Sequence, residues 1–255
     1  MIKIAAIIPA RMASSRFPGK PLLKIRGLPM IEHVRRRALL CGKFSEVAVA
    51  TCDEEIAREV RAAGGRAIMT SPKHPAASDR VAEAAAQMDC THVMNIQGDE
   101  ILVLPEDLER MISAMQARPQ IGYWNAVACV EKKSELANPS IVKCAVSRSG
   151  RILHCSRNYA YLENLGQELD PIRKVLGILG FRKEALQEYI RLERTPLEAA
   201  ESVDQSRILE HDLVLEGVLF RRGYIGINQP DEVEQVQACM ERDPLQRTVL
   251  QELAV

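Results

Sequence analysis

Arg11, Arg16 and Lys20 fall within one short stretch, Pro9-Ala10-Arg11-Met12-Ala13-Ser14-Ser15-Arg16-Phe17-Pro18-Gly19-Lys20-Pro21. The apolar run before them, Ile2 to Ile8, reads as a buried strand that breaks at Pro9. In an open α/β sheet, ligands bind just past the carboxyl ends of strands. Cations and backbone N–H groups converging there suit a triphosphate. The loop is not a Walker A: Pro21 follows Gly19-Lys20 where Ser or Thr is needed, and no Gly stands five residues before Gly19. The plainer alternative is a solvated basic loop.

A carboxylate comes next. Asn95-Ile96-Gln97-Gly98-Asp99-Glu100 follows a fourth predicted strand, which brings Asp99 to the sheet edge that carries Arg11, Arg16 and Lys20. Gly98 lets the backbone turn closely. Asp99 can then hold Mg²⁺, a hard ion that takes oxygen ligands and bridges to phosphates. The alternative is a turn aspartate that caps the strand end. A third segment, His74-Pro75-Ala76-Ala77-Ser78-Asp79-Arg80, opens a helix at the same edge, with Ser78 as its expected N-cap. A helix N-terminus offers free N–H donors to an anion. The alternative there is an ordinary capped helix start with a surface arginine.

The elements that must position these groups follow from periodicity. Met30 to Cys41 reads as a helix, with Met30, Val34, Ala38 and Cys41 on one face. Glu46 to Thr51 reads as a strand, and Asp53 to Ala63 as a helix closed by Gly64-Gly65. Arg66 to Thr70 is a strand, Ser78 to Met88 a helix, Thr91 to Ile96 a strand, and Pro105 to Ala117 a helix. This alternation predicts an α/β fold, a mostly parallel central sheet with helices on both faces.

The second half has a different texture. Ile121 to Val130 reads as a strand, and Val142 to Val146 with Arg151 to Cys155 as a hairpin around Ser147-Arg148-Ser149-Gly150. Asn158 to Lys174 lacks a period and reads as a loop. Glu198 to about Glu210 and Pro230 to Glu241 read as helices. The simplest organisation is one domain over residues 1–255, with a nucleotide-binding half at 1–120 that carries the cationic loop and a substrate-binding half at 121–255.

Composition narrows the function classes. The chain has 255 residues, 47% of them hydrophobic and only 4% aromatic, so a large and mainly aliphatic core is expected. Thirty-four cationic side chains balance 34 anionic ones, which argues against a nucleic-acid binder but allows a locally positive pocket. Seven cysteines, an odd number without a C-x-x-C, read as reduced core thiols of a cytoplasmic protein. The five histidines form no metal-ligand spacing. No signal-peptide pattern and no apolar run of about 18 residues occurs, so no membrane association is expected.

The loop, with Gly27-Leu28-Pro29-Met30-Ile31 after it, resembles the start of the CMP-KDO synthetases, the 3-deoxy-manno-octulosonate cytidylyltransferases. The likeness extends, with weakening, to about residue 240. It implies a Rossmann-like nucleotidyltransferase fold, CTP and a small sugar acid as partners, Mg²⁺ as cofactor, and a homodimer. It also implies roles. Pro9, Ala10, Arg11, Ser15, Arg16 and Lys20 would meet the nucleotide, as would Ser78, Arg80 and Gln97. Arg11, Arg16, Lys20 and Asp99 would carry the chemistry. Gln97 and Arg157 would orient the acceptor, with Glu201 and Gln205 from a segment that resembles the family's acidic helix. Asp99 and Asn228 would be the metal positions.

The resemblance frays in the acceptor half. The family's Ser-Gly-Thr is Ala76-Ala77-Ser78 here, although Asp79 and Arg80 match. The family's His-Leu-Gly-Ile-Tyr-Gly-Tyr is Val175-Leu176-Gly177-Ile178-Leu179-Gly180-Phe181, so an imidazole and two phenols are lost. The family's second metal-binding Asp is Asn228. Three outcomes remain open on the sequence: a cytidylyltransferase for KDO or a KDO-like acid, one for a different acceptor, or a nucleotide-binding relative with weak or no turnover. A sugar-1-phosphate nucleotidylyltransferase is disfavoured by Pro9-Ala10-Arg11, since those enzymes open on a Gly-Gly-x-Gly type loop.

Overall fold

The computed structural model describes residues 2–13, 16–162 and 171–253. Two compact units emerge: Met1–Ser113 with Tyr224–Val255, and Ala114–Gly223. The expected halves met at residue 120; in the structure the C-terminal segment packs with the N-terminal unit.

In the first unit, β1 (Ile4–Ala10) is buried along its whole length. A small ribbon of β2 (Lys24–Ile25) and β3 (Leu28–Pro29) leads into α1 (Met30–Leu40). Then follow β4 (Glu46–Thr51), α2 (Glu54–Ala62), β5 (Arg66–Met69), α3 (Ala77–Ala86), β6 (His92–Ile96) and α4 (Pro105–Ala117), which runs on past the unit boundary. β4 and β6 flank β1 in parallel register, and β5 lies parallel outside β4. The chain therefore winds outward from β1 through β4 to β5, then returns to the other side of β1 with β6. Such a reversal of winding opens a crevice at the carboxyl end of the central strand. β1 reads as an unbroken apolar run because a parallel strand covered on both faces has no solvent side.

In the second unit, β7 (Tyr123–Cys129) is followed by α5 (Ser134–Ala137), the hairpin of β8 (Lys143–Val146) and β9 (Ile152–Ser156), and the long β10 (Ile172–Arg182). Next come α6 (Lys183–Tyr189), α7 (Pro196–Glu201), α8 (Gln205–Glu210) and β11 (Leu215–Leu219). β10 runs antiparallel to both β7 and β8, whereas β11 lies parallel to β7. The chain then supplies α9 (Glu232–Arg242) and α10 (Pro244–Glu252) to the first unit.

Several expectations need correction. The expected loop from Asn158 to Lys174 includes residues 163–170, which lie outside the described residues, but β10 already begins at Ile172. Periodicity missed β10 because Gly177, Gly180 and the cations Arg173 and Lys174 interrupt its alternation, and its register shifts between Val175 and Leu179. The helix expected over Glu198–Glu210 is two helices, broken where Ser202 takes a left-handed φ of 52°. β11 went unread because Glu216 sits inside it; the Arg118 guanidinium donates to both Glu216 carboxylate oxygens at 2.9 Å each. Of the cysteines, all free, Cys129 is exposed rather than core, while Cys41, Cys90, Cys144 and Cys155 are buried. Burial pushes the Cys41 thiol up to about 11 and the Cys144 thiol up to about 12, which leaves both inert.

Candidate active site

A cavity of about 250 Å³ opens at the carboxyl end of β1. Pro9 and Ala10 end that strand, and Arg11, Arg16, Lys20 and Pro21 come from the loop after it. Met30 begins α1; His74, Pro75, Ala76, Ala77 and Arg80 surround the start of α3; Gln97, Gly98 and Asp99 follow β6. All three segments singled out in the sequence thus meet in one place. Two glycines make the meeting possible. A Cβ on Gly98 would stand 3.1 Å from the Pro9 carbonyl, a tight contact, and one on Gly226 would stand 2.8 Å from the Asp99 carbonyl, closer than side-chain carbons come.

The charges are distributed unevenly. Arg11 is exposed and makes no hydrogen bond or ion pair among the described residues. Arg16, also exposed, donates from Nη2 to the Asn228 Oδ1 at 3.1 Å. Lys20 Nζ donates to the Ile227 carbonyl at 2.6 Å and to Asp99 Oδ2 at 3.2 Å. That ammonium is only 13% exposed, and Asp99 27%, so water screens their pairing only in part. Asn228 is fixed from behind: its N–H and that of Gln229 both donate to the Glu232 carboxylate at the start of α9.

The α3 edge differs from expectation. The helix begins at Ala77 with Ala76 as N-cap, so Ser78 is not the cap. Alanine has no side-chain acceptor, and the Asp79 carboxylate accepts the Ala76 N–H at 3.1 Å instead. Ser78 is buried and its Oγ has no hydrogen-bond partner among the described residues. Arg80 is also buried, donates from Nη1 to Thr70 Oγ1 at 2.5 Å, and lines the cavity. Ser15 lies outside the described residues.

Sequence reasoning overlooked His74 as a site residue, although it stood in the quoted segment. Its Nε2 contacts the Glu83 carboxylate, which also accepts the Ser71 N–H at 2.8 Å. Those two contacts hold the Glu83 carboxyl below the usual carboxylate range. The Ile227 carbonyl was beyond reach, because a backbone acceptor leaves no side-chain signal. Gln97 lines the cavity and donates to Asn95 Oδ1 at a long 3.5 Å.

Of the residues named for the acceptor, Gln97 lines the cavity of the first unit, whereas Arg157, Glu201 and Gln205 belong to the second unit and are held by it. Arg157 donates from Nε to the Glu201 carbonyl at 2.7 Å, from Nη1 to the Pro139 carbonyl at 2.7 Å, and from Nη2 to the Ser202 carbonyl at 3.2 Å. The Glu201 carboxylate accepts from Ser156 Oγ and the Arg157 N–H. Gln205 is buried and donates to Asn125 Oδ1 at 2.7 Å.

The donors that the sequence offered for Mg²⁺ are one carboxylate, Asp99, and one amide oxygen, that of Asn228, which here accepts from Arg16. No cluster of three His, Cys, Asp or Glu among the described residues could hold a metal ion. Mg²⁺ is commonly bound through one or two carboxylates plus substrate phosphates. These residues therefore fit an ion that arrives with a triphosphate rather than one caged by protein alone. No helix among the described residues is long and apolar enough to cross a membrane.

Comparison with known proteins agrees with this geometry. The cytidylyltransferase family model matches residues 5–216. The 3-deoxy-manno-octulosonate cytidylyltransferase of Geobacter metallireducens is 36% identical over 94% of this chain and 99% of its own. That of Myxococcus xanthus is 39% identical over 93% and 96%. A solved CMP:2-keto-3-deoxy-manno-octonic acid synthetase complexed with CTP superposes with a TM-score of 0.88 at 35% identity, covering 94% of this chain and 99% of that one. A 4-diphosphocytidyl-2C-methyl-D-erythritol synthase from Anaerococcus prevotii, at 12% identity and a TM-score of 0.63, shares the fold alone. The chain is a nucleotidyltransferase and belongs to the cytidylyltransferase family, among the CMP-KDO synthetases.

Proposed function

We propose that this enzyme transfers CMP from CTP to KDO or a closely related 2-keto-3-deoxy sugar acid. The observation that carries the reading is a cavity lined by four cations and a single carboxylate, Asp99, in a chain that superposes on a CMP-KDO synthetase with a TM-score of 0.88. A hydroxyl oxygen of the acceptor attacks the α-phosphorus. The bond from that phosphorus to the bridging oxygen of the β-phosphate breaks, pyrophosphate leaves, and the hydroxyl proton passes to solvent. Arg16 and Lys20 bind the phosphates and favour the leaving group, and Arg11 lies toward the nucleotide. Such catalysis is mostly positioning and charge stabilisation. Asp99 would hold Mg²⁺, which would supply further neutralisation of phosphate charge. A homodimer in the cytoplasm completes the reading.

A second acceptor class remains open for a specific reason. Val175, Leu179 and Phe181 lie on β10, where Phe181 is buried edge-on to the Tyr123 ring at 6.0 Å. That strand offers no imidazole or phenol to a polyhydroxy acid. The experiment is pyrophosphate release from each of the four nucleoside triphosphates with KDO, sialic-acid-like acids and smaller hydroxy acids. CTP with an eight-carbon sugar acid should give the highest rate. Asp99→Asn should lower it about a hundredfold or more with an unchanged melting temperature, and Lys20→Ala should weaken CTP binding about tenfold. A purine triphosphate preferred over CTP, or a normal rate in Asp99→Asn, overturns the reading.

A further inference from the structure

Residue 228 occupies a position the fold takes trouble to fix. The Ile227 N–H donates to the Asp99 carbonyl at 3.3 Å, and Lys20 ties the Ile227 carbonyl to the Asp99 carboxylate. Gly226 lets the strand of backbone close on Asp99, and Glu232 clasps the Asn228 and Gln229 N–H groups. The side chain so positioned meets one partner among the described residues, the Arg16 guanidinium. What stands there is neutral. Its amide oxygen orients Arg16 without cancelling its charge, and it adds no negative charge beside a cavity meant for a polyanion. A carboxylate in the same place would do both. A charge-assisted contact is roughly twice as strong as a neutral one, so Arg16 would be held harder and given up to a phosphate less readily.

We propose that Asn228 acts as a neutral rest for Arg16, which lets the site bind CTP without a divalent cation. Its role is then to position Arg16 rather than to ligate the metal. The inference rests on the proposed function, because it assumes that the cavity is the triphosphate site. On this reading the enzyme does not discriminate between free CTP and its Mg²⁺ complex, and the two should bind almost equally well.

Calorimetric titration of CTP into the full chain, once in EDTA and once in excess MgCl₂, tests this without turnover. The parent should bind within about threefold in the two buffers; a parent that gains more than about tenfold from Mg²⁺ overturns the proposal. Asn228→Asp should bind CTP about tenfold more weakly than the parent in EDTA and recover in MgCl₂, because the cation offsets the added carboxylate. In an Arg16→Ala background the same change should cost distinctly less. Asn228→Ala, which removes the rest for Arg16 without adding charge, should weaken CTP binding by the same small factor, about two- to fivefold, in EDTA and in MgCl₂. Asn228→Asp binding like the parent in EDTA overturns the proposal, as does Asn228→Ala losing affinity only in MgCl₂, the signature of a lost ligand. A parent that binds CTP in neither buffer removes the proposed function itself, which separates the two failures. Thermal melts of each variant confirm that affinities refer to folded protein.

Discussion

The two units of the molecule use the same basic side chains in opposite states. At the cavity of the first unit, Arg11 has no partner among the described residues, Arg16 rests on one neutral amide, and Lys20 holds one carbonyl and one carboxylate. In the second unit, Arg157 spends three donors on carbonyls of 139, 201 and 202, and Lys143 Nζ donates to the carbonyls of Asn138, Ile141 and Arg157. Arg207 grips both oxygens of the buried Glu198 and stacks over the Tyr189 ring at 4.7 Å. A cation with unused donors can take a ligand, whereas one whose donors close the fold keeps the chain in place. The difference separates recognition from architecture among residues that look alike in a sequence.

The sharpest way to break that contrast is at Glu198. It is 3% exposed and its partner Arg207 12%, and the pair raises the Arg207 pKa through the Glu198 contact. Removing one member of a buried pair strands the other charge, which costs about 3–5 kcal/mol. Glu198→Ala should therefore melt well below the parent while CTP affinity, measured in the cold, stays unchanged. If the variant melts normally and instead loses the acceptor, the acidic segment is a ligand site and the contrast fails.

The first unit has its own spent group, outside the cavity lining. His33 on α1 is fully buried and its Nε2 meets the Ile25 carbonyl at 2.8 Å. Burial, the largest influence, pulls its pKa down to about 4 from 6.5. The unfolded chain thus binds the proton more readily between pH 6.5 and 4, so stability is complete above that window and falls as pH drops through it. The loss at the acid end is about 3 kcal/mol at most. Melts of the parent should show this acid slope, and His33→Gln should flatten it. An identical slope in both assigns the acid sensitivity elsewhere.

Arg157 tests the contrast where the resemblance and the geometry pull apart. If its guanidinium is an architectural clamp, Arg157→Ala should lower stability by about 1–3 kcal/mol. Arg157→Lys should not restore it, because one ammonium cannot reproduce a planar fork. Urea unfolding measures the loss, and the KM for the acceptor should move little. A raised KM with unchanged stability would make Arg157 the carboxylate reader that the family pattern implies.

How much of this was legible beforehand follows the same divide. The buried parallel strands β1, β4 and β6 were plain, because covering both faces forces apolar runs, and the edge strand β5 was bracketed by Gly64-Gly65 and the His74 segment. The loop cations, Asp99 and the start of α3 were found because short motifs follow directly on those strands. Less was legible where meaning depends on partners distant in sequence. Glu216 looks polar until Arg118 is seen beside it, and Ser202 gives no hint that it breaks a helix. Nothing in Ile227 says that its carbonyl holds Lys20, and nothing in Arg157 says that its donors are already taken.

The smallest expected effect concerns Asp79, beside the cavity yet turned to the backbone. Its carboxylate accepts the Ala76 N–H, half of a capping box whose other half an alanine cannot provide. Its negative charge near the helix N-terminus adds a further modest stabilisation. Asp79→Ala should therefore cost about 1 kcal/mol, read as a small fall in melting temperature. CTP affinity should hold or rise slightly, since a carboxylate next to a polyanion site has gone. Arg80, its neighbour, lines the cavity, so Arg80→Ala should weaken CTP binding under the same conditions. If Asp79→Ala instead weakens CTP as much as Arg80→Ala does, the two residues serve the nucleotide together. The line between spent and available groups would then run differently along α3 than the hydrogen bonds draw it.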